Sequence, residues 1–166
     1  MRLPKKILVP TDMSTFSLAA LQYAEIIAEV FCAEITLIHI IQSGAGTGPV
    51  HPEDETGDGK SVTIEESKKM ISHLLMDKDL VIRSIKILVR SGSPAAEIVK
   101  AVKEIDADLI VMSTHGRTGL HHTVVGSVAE KVVRYAICPV LTVKPEEFRE
   151  FVSLSEEEIA FDLHMG

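Results

Sequence analysis

This chain is predicted to form an α/β fold, one parallel β-sheet covered by helices on both faces. Three observations predict it. Short apolar runs alternate with stretches of helical period along the chain, a pattern that buries a parallel sheet between two helix layers. Each run is bounded by proline, glycine or small polar residues, which end strands and start helices. The length of 166 residues suits one domain with a real core.

The elements follow in order. Ile7-Leu8-Val9-Pro10 reads as a buried first strand closed by proline. Thr11-Asp12-Met13-Ser14 then turns the chain, and Ser14 or Ser17 can cap the next helix. In that helix Leu18, Leu21, Ile26 and Val30 are expected on the inner face, with Gln22, Glu25 and Glu29 outside. Ile35 to Ile41 is the second strand. Residues 43–60 are rich in Gly, Pro and acids and read as a mobile loop. Ile64 to Met76 is helical, with an apolar stripe of Ile64, Ser67, Met70, Ile71, Leu74 and Leu75. Val81 to Val89 reads as the third strand. Ser93 is the expected N-cap and Pro94 the first position of a helix running to about Ile105. Leu109 to Met112 is the fourth strand, Gly126 to about Ala136 the last helix, and Pro139 to Val143 the fifth strand. Residues 146–166 form a charged tail. Within it Phe148, Phe151, Leu154 and Ile159 could dock on the body or on a partner, and Ser155 followed by three glutamates resembles a helix start.

Composition narrows the function. Hydrophobic content of 46% and charged content of 25% mark a globular chain. Net charge is -7, which argues against nucleic acid as a partner, because phosphate contacts need clustered Lys and Arg. No apolar run spans a bilayer; the longest, Ala19 to Ala33, is broken by Gln22, Glu25 and Glu29. The N-terminus lacks the apolar core and cleavage site of a signal peptide, so a cytoplasmic location is expected. Cys32 and Cys138 read as two small buried thiols in a reducing compartment.

The chemistry concentrates after the fourth strand. Ser113-Thr114-His115-Gly116, then nine residues, then Gly126-Ser127, places a Gly-rich loop between a buried strand and a helix start. Unpaired N–H groups and the helix dipole favour an anion there. A tight turn that binds nothing gives the same spacing. In open parallel sheets ligands bind beyond the strand C-termini where strand order reverses. The strand ends to inspect carry Pro10-Thr11-Asp12, His39-Ile40 and the Gly loop.

Taken together these residues resemble the universal stress protein family. The resemblance covers roughly residues 3–144. It rests on Ile7 to Asp12, Leu37-Ile38-His39-Ile40, Gly92-Ser93-Pro94-Ala95-Ala96-Glu97-Ile98, the stretches Ser113 to Leu120 and Gly126 to Val132, and Cys138-Pro139-Val140. It implies a five-stranded sheet of order 3-2-1-4-5, the adenine nucleotide alpha hydrolase-like fold. The family's nucleotide-binding branch spaces Gly, two residues, Gly, nine residues, Gly, then Ser or Thr. Gly116, Gly126 and Ser127 match that pattern. Ser113 stands at the first glycine and adds a side chain where backbone should approach the ligand.

The resemblance implies ATP or AMP as ligand. Asp12 would make a polar contact to adenine and Ile40 would pack on it. Pro10 and Met112 would line the adenine and ribose pocket. Ser113, Gly116, Gly126, Ser127 and Val128 would cradle the phosphates, with Mg²⁺ or Mn²⁺ accompanying them. Asp12 has a second reading, as a turn residue capping the first helix. The family also implies a homodimer, often through the last strand, and Val140 to Val143 would be an exposed edge in a monomer.

Other constellations fail. Gly57-Asp58-Gly59-Lys60-Ser61 is half a P-loop, with Asp54 where the first glycine belongs. Asp54, Thr56, Asp58, Gly59 and Glu65 approach an EF-hand loop, but Thr56, Ser61, Pro49 and Pro52 oppose it. His115, His121 and His122 read as loop histidines, His39 as a structural or pocket-lining residue, and Arg117 as a cation near phosphate. No catalytic set is visible. The expected function is a nucleotide-gated stress-response module, without nucleic acid or membrane partners. A dimeric scaffold that binds no nucleotide and a slow ATPase are the alternatives.

Overall fold

In the computed structural model, residues 3–42, 63–76, 85–114 and 126–144 are described. Among them, strands and helices alternate: β1 (Lys6–Thr11), α1 (Thr15–Phe31), β2 (Glu34–Ile41), α2 (Ile64–Met76), β3 (Ile85–Ser91), α3 (Pro94–Ile105), β4 (Leu109–Ser113), α4 (Ser127–Tyr135) and β5 (Val140–Val143). The sheet is parallel throughout, in the order β3-β2-β1-β4-β5. That is the predicted architecture. Residues 81–84 of the expected third strand, the 43–60 loop and the 146–166 tail lie outside the described residues, as do the half P-loop and most of the EF-hand-like set.

The sheet separates two apolar layers. On one face Ile7, Val9, Ile35, Leu37 and Val111 pack with Leu18, Leu21, Ala24 and Ala28 of α1 and Ile71 of α2. On the other, Leu8, Ile38, Ile110 and Met112 pack with Ile98, Ala101 and Val102 of α3 and Ala129 and Val132 of α4. Strand residues alternate between the layers because successive side chains point to opposite faces.

Ser14 is the cap of α1. Its Oγ accepts from the Ser17 amide at 3.2 Å. The inner face of α1 differs from expectation. Ile26 and Val30 are 62% and 69% exposed, while Ala20, Ala24 and Ala28 are buried beside Leu18 and Leu21. At about 100° per residue, Ile26 lies roughly 140° round the helix from Leu21, off the core side. In α2 the stripe is likewise narrower: Ser67 and Ile71 are buried, whereas Ile64 and Met70 are exposed. At α3, Ser93 holds the N-cap position with Pro94 behind it, without a side-chain cap bond.

The cysteine expectation is corrected as well. Cys32 is exposed, at the left-handed C-cap of α1 with φ 51°. A residue just past a helix end projects to the surface, whatever its apolarity. Cys138 is half-buried, and burial pushes its thiol above the usual cysteine range. The thiolate is the reactive form. With a disulfide reagent at pH 8, one thiol per chain should react fast and the other at least about tenfold more slowly. Cys32→Ser should remove the fast phase; its survival would contradict this assignment.

Candidate functional site

β1 sits at the reversal of strand order, between β2 and β4. Its pairing with β2 runs the full strand, from Lys6–Glu34 to Thr11–His39. Its pairing with β4 is confined to Ile7–Leu109 and Leu8–Ile110. At the near end the two strands are tied by Asp108, whose Oδ2 accepts from the Lys5 and Lys6 amides at 2.9 and 3.0 Å. Beyond Leu8 the ladder stops. It stops because Pro10, whose backbone faces β4, has no N–H to donate, and Val9 and Val111 still share one core layer. The C-terminal ends of β1 and β4, at the reversal of strand order, are where open α/β sheets place their ligands.

One wall is the β1–α1 turn. Thr11 is buried, and its Oγ1 accepts from the Met13 amide at 3.0 Å. The Ser17 hydroxyl donates to the Ser14 carbonyl at 2.9 Å, so Thr11 Oγ1 donates the 2.8 Å bond to Ser17 Oγ. Met13 takes a left-handed φ of 64°. Asp12 Oδ1 accepts from the Ser14 amide at 3.1 Å and from the Ser14 hydroxyl at 2.5 Å. Asp12 thus does the turn part of its second reading. Its capping part is corrected: the N-cap of α1 is Ser14.

The opposite wall is β4 and the start of α4. Met112, Ser113 and Thr114 are all buried. The Gly126 amide donates to the Thr114 carbonyl at 2.7 Å, and the Glu130 amide to the Gly126 carbonyl at 3.0 Å. A Cβ at Gly126 would lie 2.9 Å from that Thr114 oxygen. The glycine is demanded by this approach of two backbones, since its φ of -67° suits any residue. Gly126 is also the N-cap, and it supplies no side-chain cap to α4. The helix start thus retains the electropositive character that attracts anions. Glu130, the acid of this first turn, pairs with Arg134 at 2.9 Å.

The predicted site residues fall into two groups. Ile40, Met112 and Val128 all pack into the α3–α4 layer, and Pro10 joins them through its partner Ile38. Asp12, Gly126 and Ser127 stand at the strand ends beside this face. Ser113 faces the other way: its partner Val143 belongs to the α1 layer, as does Val111 two residues earlier. Gly116, His115, Arg117, His121 and His122 lie outside the described residues.

Other residues support these strand ends, among them Arg90 and Glu104, which no sequence motif singles out. Thr11 and Ser17 organise the turn behind Asp12. His39 Nδ1 lies 2.9 Å from the Thr11 carbonyl and therefore carries the proton of that bond. Arg90 lies beside Ile40 in the sheet and bonds to Glu104, with Glu97 at 3.7 Å. Glu104 holds the guanidinium above the usual arginine range, and Arg90 holds the Glu104 carboxyl below the usual carboxylate range. Gly92 adopts φ 140° after β3, and a Cβ there would meet Glu97 Cγ at 3.2 Å.

This sheet order defines an open doubly wound α/β protein, a class whose ligands bind at the reversal of strand order. Residues 4–144 match the universal stress protein family, and the chain belongs to it. Relatives include universal stress protein MJ0531 of Methanocaldococcus jannaschii, 36% identical, with 84% of this chain covering 82% of that protein. The solved structure of MJ0577 from the same organism is 30% identical and superposes with a TM-score of 0.71, covering 87% of this chain and 99% of that one. UspA from Lactobacillus plantarum, 25% identical, gives a TM-score of 0.65 over 86% of this chain and 99% of its own. A universal stress protein solved in complex with cAMP, 22% identical, shares the fold with a TM-score of 0.62, over 86% of this chain and 98% of its own. No helix among the described residues is long and apolar enough to cross a membrane.

Proposed function

We propose that the β1–β4 crevice binds an adenine nucleotide, ATP or AMP, and that the protein acts as a nucleotide-gated stress-response module. The observation that carries this reading is the start of α4, seated on Thr114 at the end of β4 without a side-chain cap. The phosphates would meet the amides of Ser127 and Val128 and the Ser127 hydroxyl. Pro10, Ile40 and Met112 offer an apolar seat for the base. The Asp12 carboxylate suits an exocyclic amine or a ribose hydroxyl. Mg²⁺ or Mn²⁺ would enter on the phosphates. The solved relative that holds cAMP is consistent with an adenine nucleotide in this fold. Gly116 completes the proposed cradle by resemblance alone.

The same proposal includes a homodimer through β5. That strand is at the sheet edge, and nearby Leu141, Ile137 and Tyr135 are 39%, 68% and 62% exposed. An exposed apolar edge favours pairing with another strand. Mass spectrometry of small molecules released from the purified protein tests the ligand class. ATP, ADP or AMP near one per chain is expected. A different retained metabolite in that amount would contradict the reading.

Ser113 gives a sharper test. Its side chain belongs to the α1 side of the sheet, away from Met112 and Ile40. Ser113→Gly should therefore change nucleotide affinity by less than about twofold, well under 1 kcal/mol. A gain of tenfold in a calorimetric titration would show that the serine obstructs the site after all.

A further inference from the structure

The β1–α1 turn follows the end of β1, where the ladder to β2 outlasts the ladder to β4. Toward β4 Pro10 has no N–H to donate, while Val9, Pro10 and Thr11 pair with Leu37, Ile38 and His39 of β2. At the end of that ladder, where Thr11 faces His39, the imidazole Nδ1 donates to the Thr11 carbonyl at 2.9 Å. This carbonyl belongs to the peptide group that leads into Asp12. Fixing it fixes the plane from which the Asp12 carboxylate is presented. The bonds of Asp12 to Ser14, and of Thr11 to Met13 and Ser17, are local and shape the turn. The bond from His39 adds a side-chain tie to β2 at the last pair of the ladder, across 28 positions of sequence.

His39 also lies outside the crevice. It alternates with Ile38 and Ile40, on the side of Leu37 and Ile41, which pack in the α1 layer. It cannot act by lining the seat formed by Ile40, Met112 and Pro10.

We propose that His39 is a positioning residue that anchors the Asp12 turn to β2 and so presets the carboxylate wall of the crevice. The inference rests on the nucleotide reading of that crevice for its functional consequence, but not for its structural one. The test compares His39→Leu, His39→Asn and His39→Gln in the full chain. The Asn amide can place an N–H close to the position of Nδ1, while the longer Gln places it near Nε2. Two readouts are taken. Without nucleotide, hydrogen exchange of the Met13 and Ser14 amides reports the turn, because both donate within it. With nucleotide, calorimetry gives the ATP affinity.

Leu and Gln should speed exchange at Met13 and Ser14 and weaken ATP binding, each by about five- to tenfold, and Asn should restore both. Wild-type exchange in the Leu variant would overturn the proposal. So would faster exchange with unchanged affinity, or an Asn variant no better than Gln. If the wild-type protein binds no ATP, the nucleotide reading fails by itself, and the exchange measurements still decide whether His39 holds the turn.

Discussion

Replacing Gly126 with valine should abolish measurable nucleotide binding, and replacing it with alanine should weaken binding at least about tenfold. The reason is steric. The first side-chain carbon would lie 2.9 Å from the Thr114 carbonyl oxygen, and that oxygen is backbone at the end of a buried strand. Neither side can yield cheaply. Either the 2.7 Å bond from the Gly126 amide to Thr114 breaks, or the start of α4 swings away from β4. Both outcomes move the amides proposed to hold phosphate. Overpacking of this kind costs about 1–3 kcal/mol, which for a domain of this size lowers the melting temperature by several degrees. Gly126→Ser separates sterics from propensity. Serine is a better N-cap than glycine in an isolated helix. Here it should nonetheless destabilise the fold and weaken binding. A Gly126→Ser protein more stable than wild type would show that the contact with Thr114 relaxes freely.

Asp12→Ala should lower ATP affinity by about 10- to 100-fold, as expected for losing a charged hydrogen-bonding partner. It should also cost about 1 kcal/mol of stability, because the Ser14 amide and hydroxyl lose their shared acceptor. Asp12→Asn divides the two effects. Its side-chain oxygen can still accept from Ser14, so thermal stability should stay near wild type. The negative charge is gone, so affinity should fall most of the way toward the alanine value. Equal affinity for wild type and both variants would remove Asp12 from the ligand contacts and leave it a turn residue only.

The fold was legible because each strand is a short apolar run closed by a breaker, and because a run of strand–helix repeats admits few topologies. The helix faces were less so. In α1 the residues against the sheet are small: Ala20, Ala24 and Ala28 let the helix approach β1 and β4, while the bulkier Ile26 and Val30 face outward. A stripe sought by side-chain size finds Leu18 and Leu21 but then takes Ile26 and Val30 in place of the alanines. The orientation of Ser113 was hidden for another reason. β4 is covered on both sides, so its sequence shows no polar–apolar alternation to say which face each residue takes. The ties around Asp12 were hidden by distance. The bond from His39 to Thr11 joins residues 28 apart, and only the pairing of β1 with β2 brings them together. Local motifs place Asp12 and Gly126 beside the ends of β1 and β4. The contacts that orient them come from the sheet.

The central claim is that the crevice between β1 and β4 takes an adenine nucleotide. Isothermal titration of the full-length protein with ATP, and separately with AMP, tests it most directly, with and without Mg²⁺. The account predicts saturable binding of one nucleotide per chain with a dissociation constant below about 1 mM, lost in Gly126→Val. Absence of saturable binding of either nucleotide at millimolar concentration would contradict it.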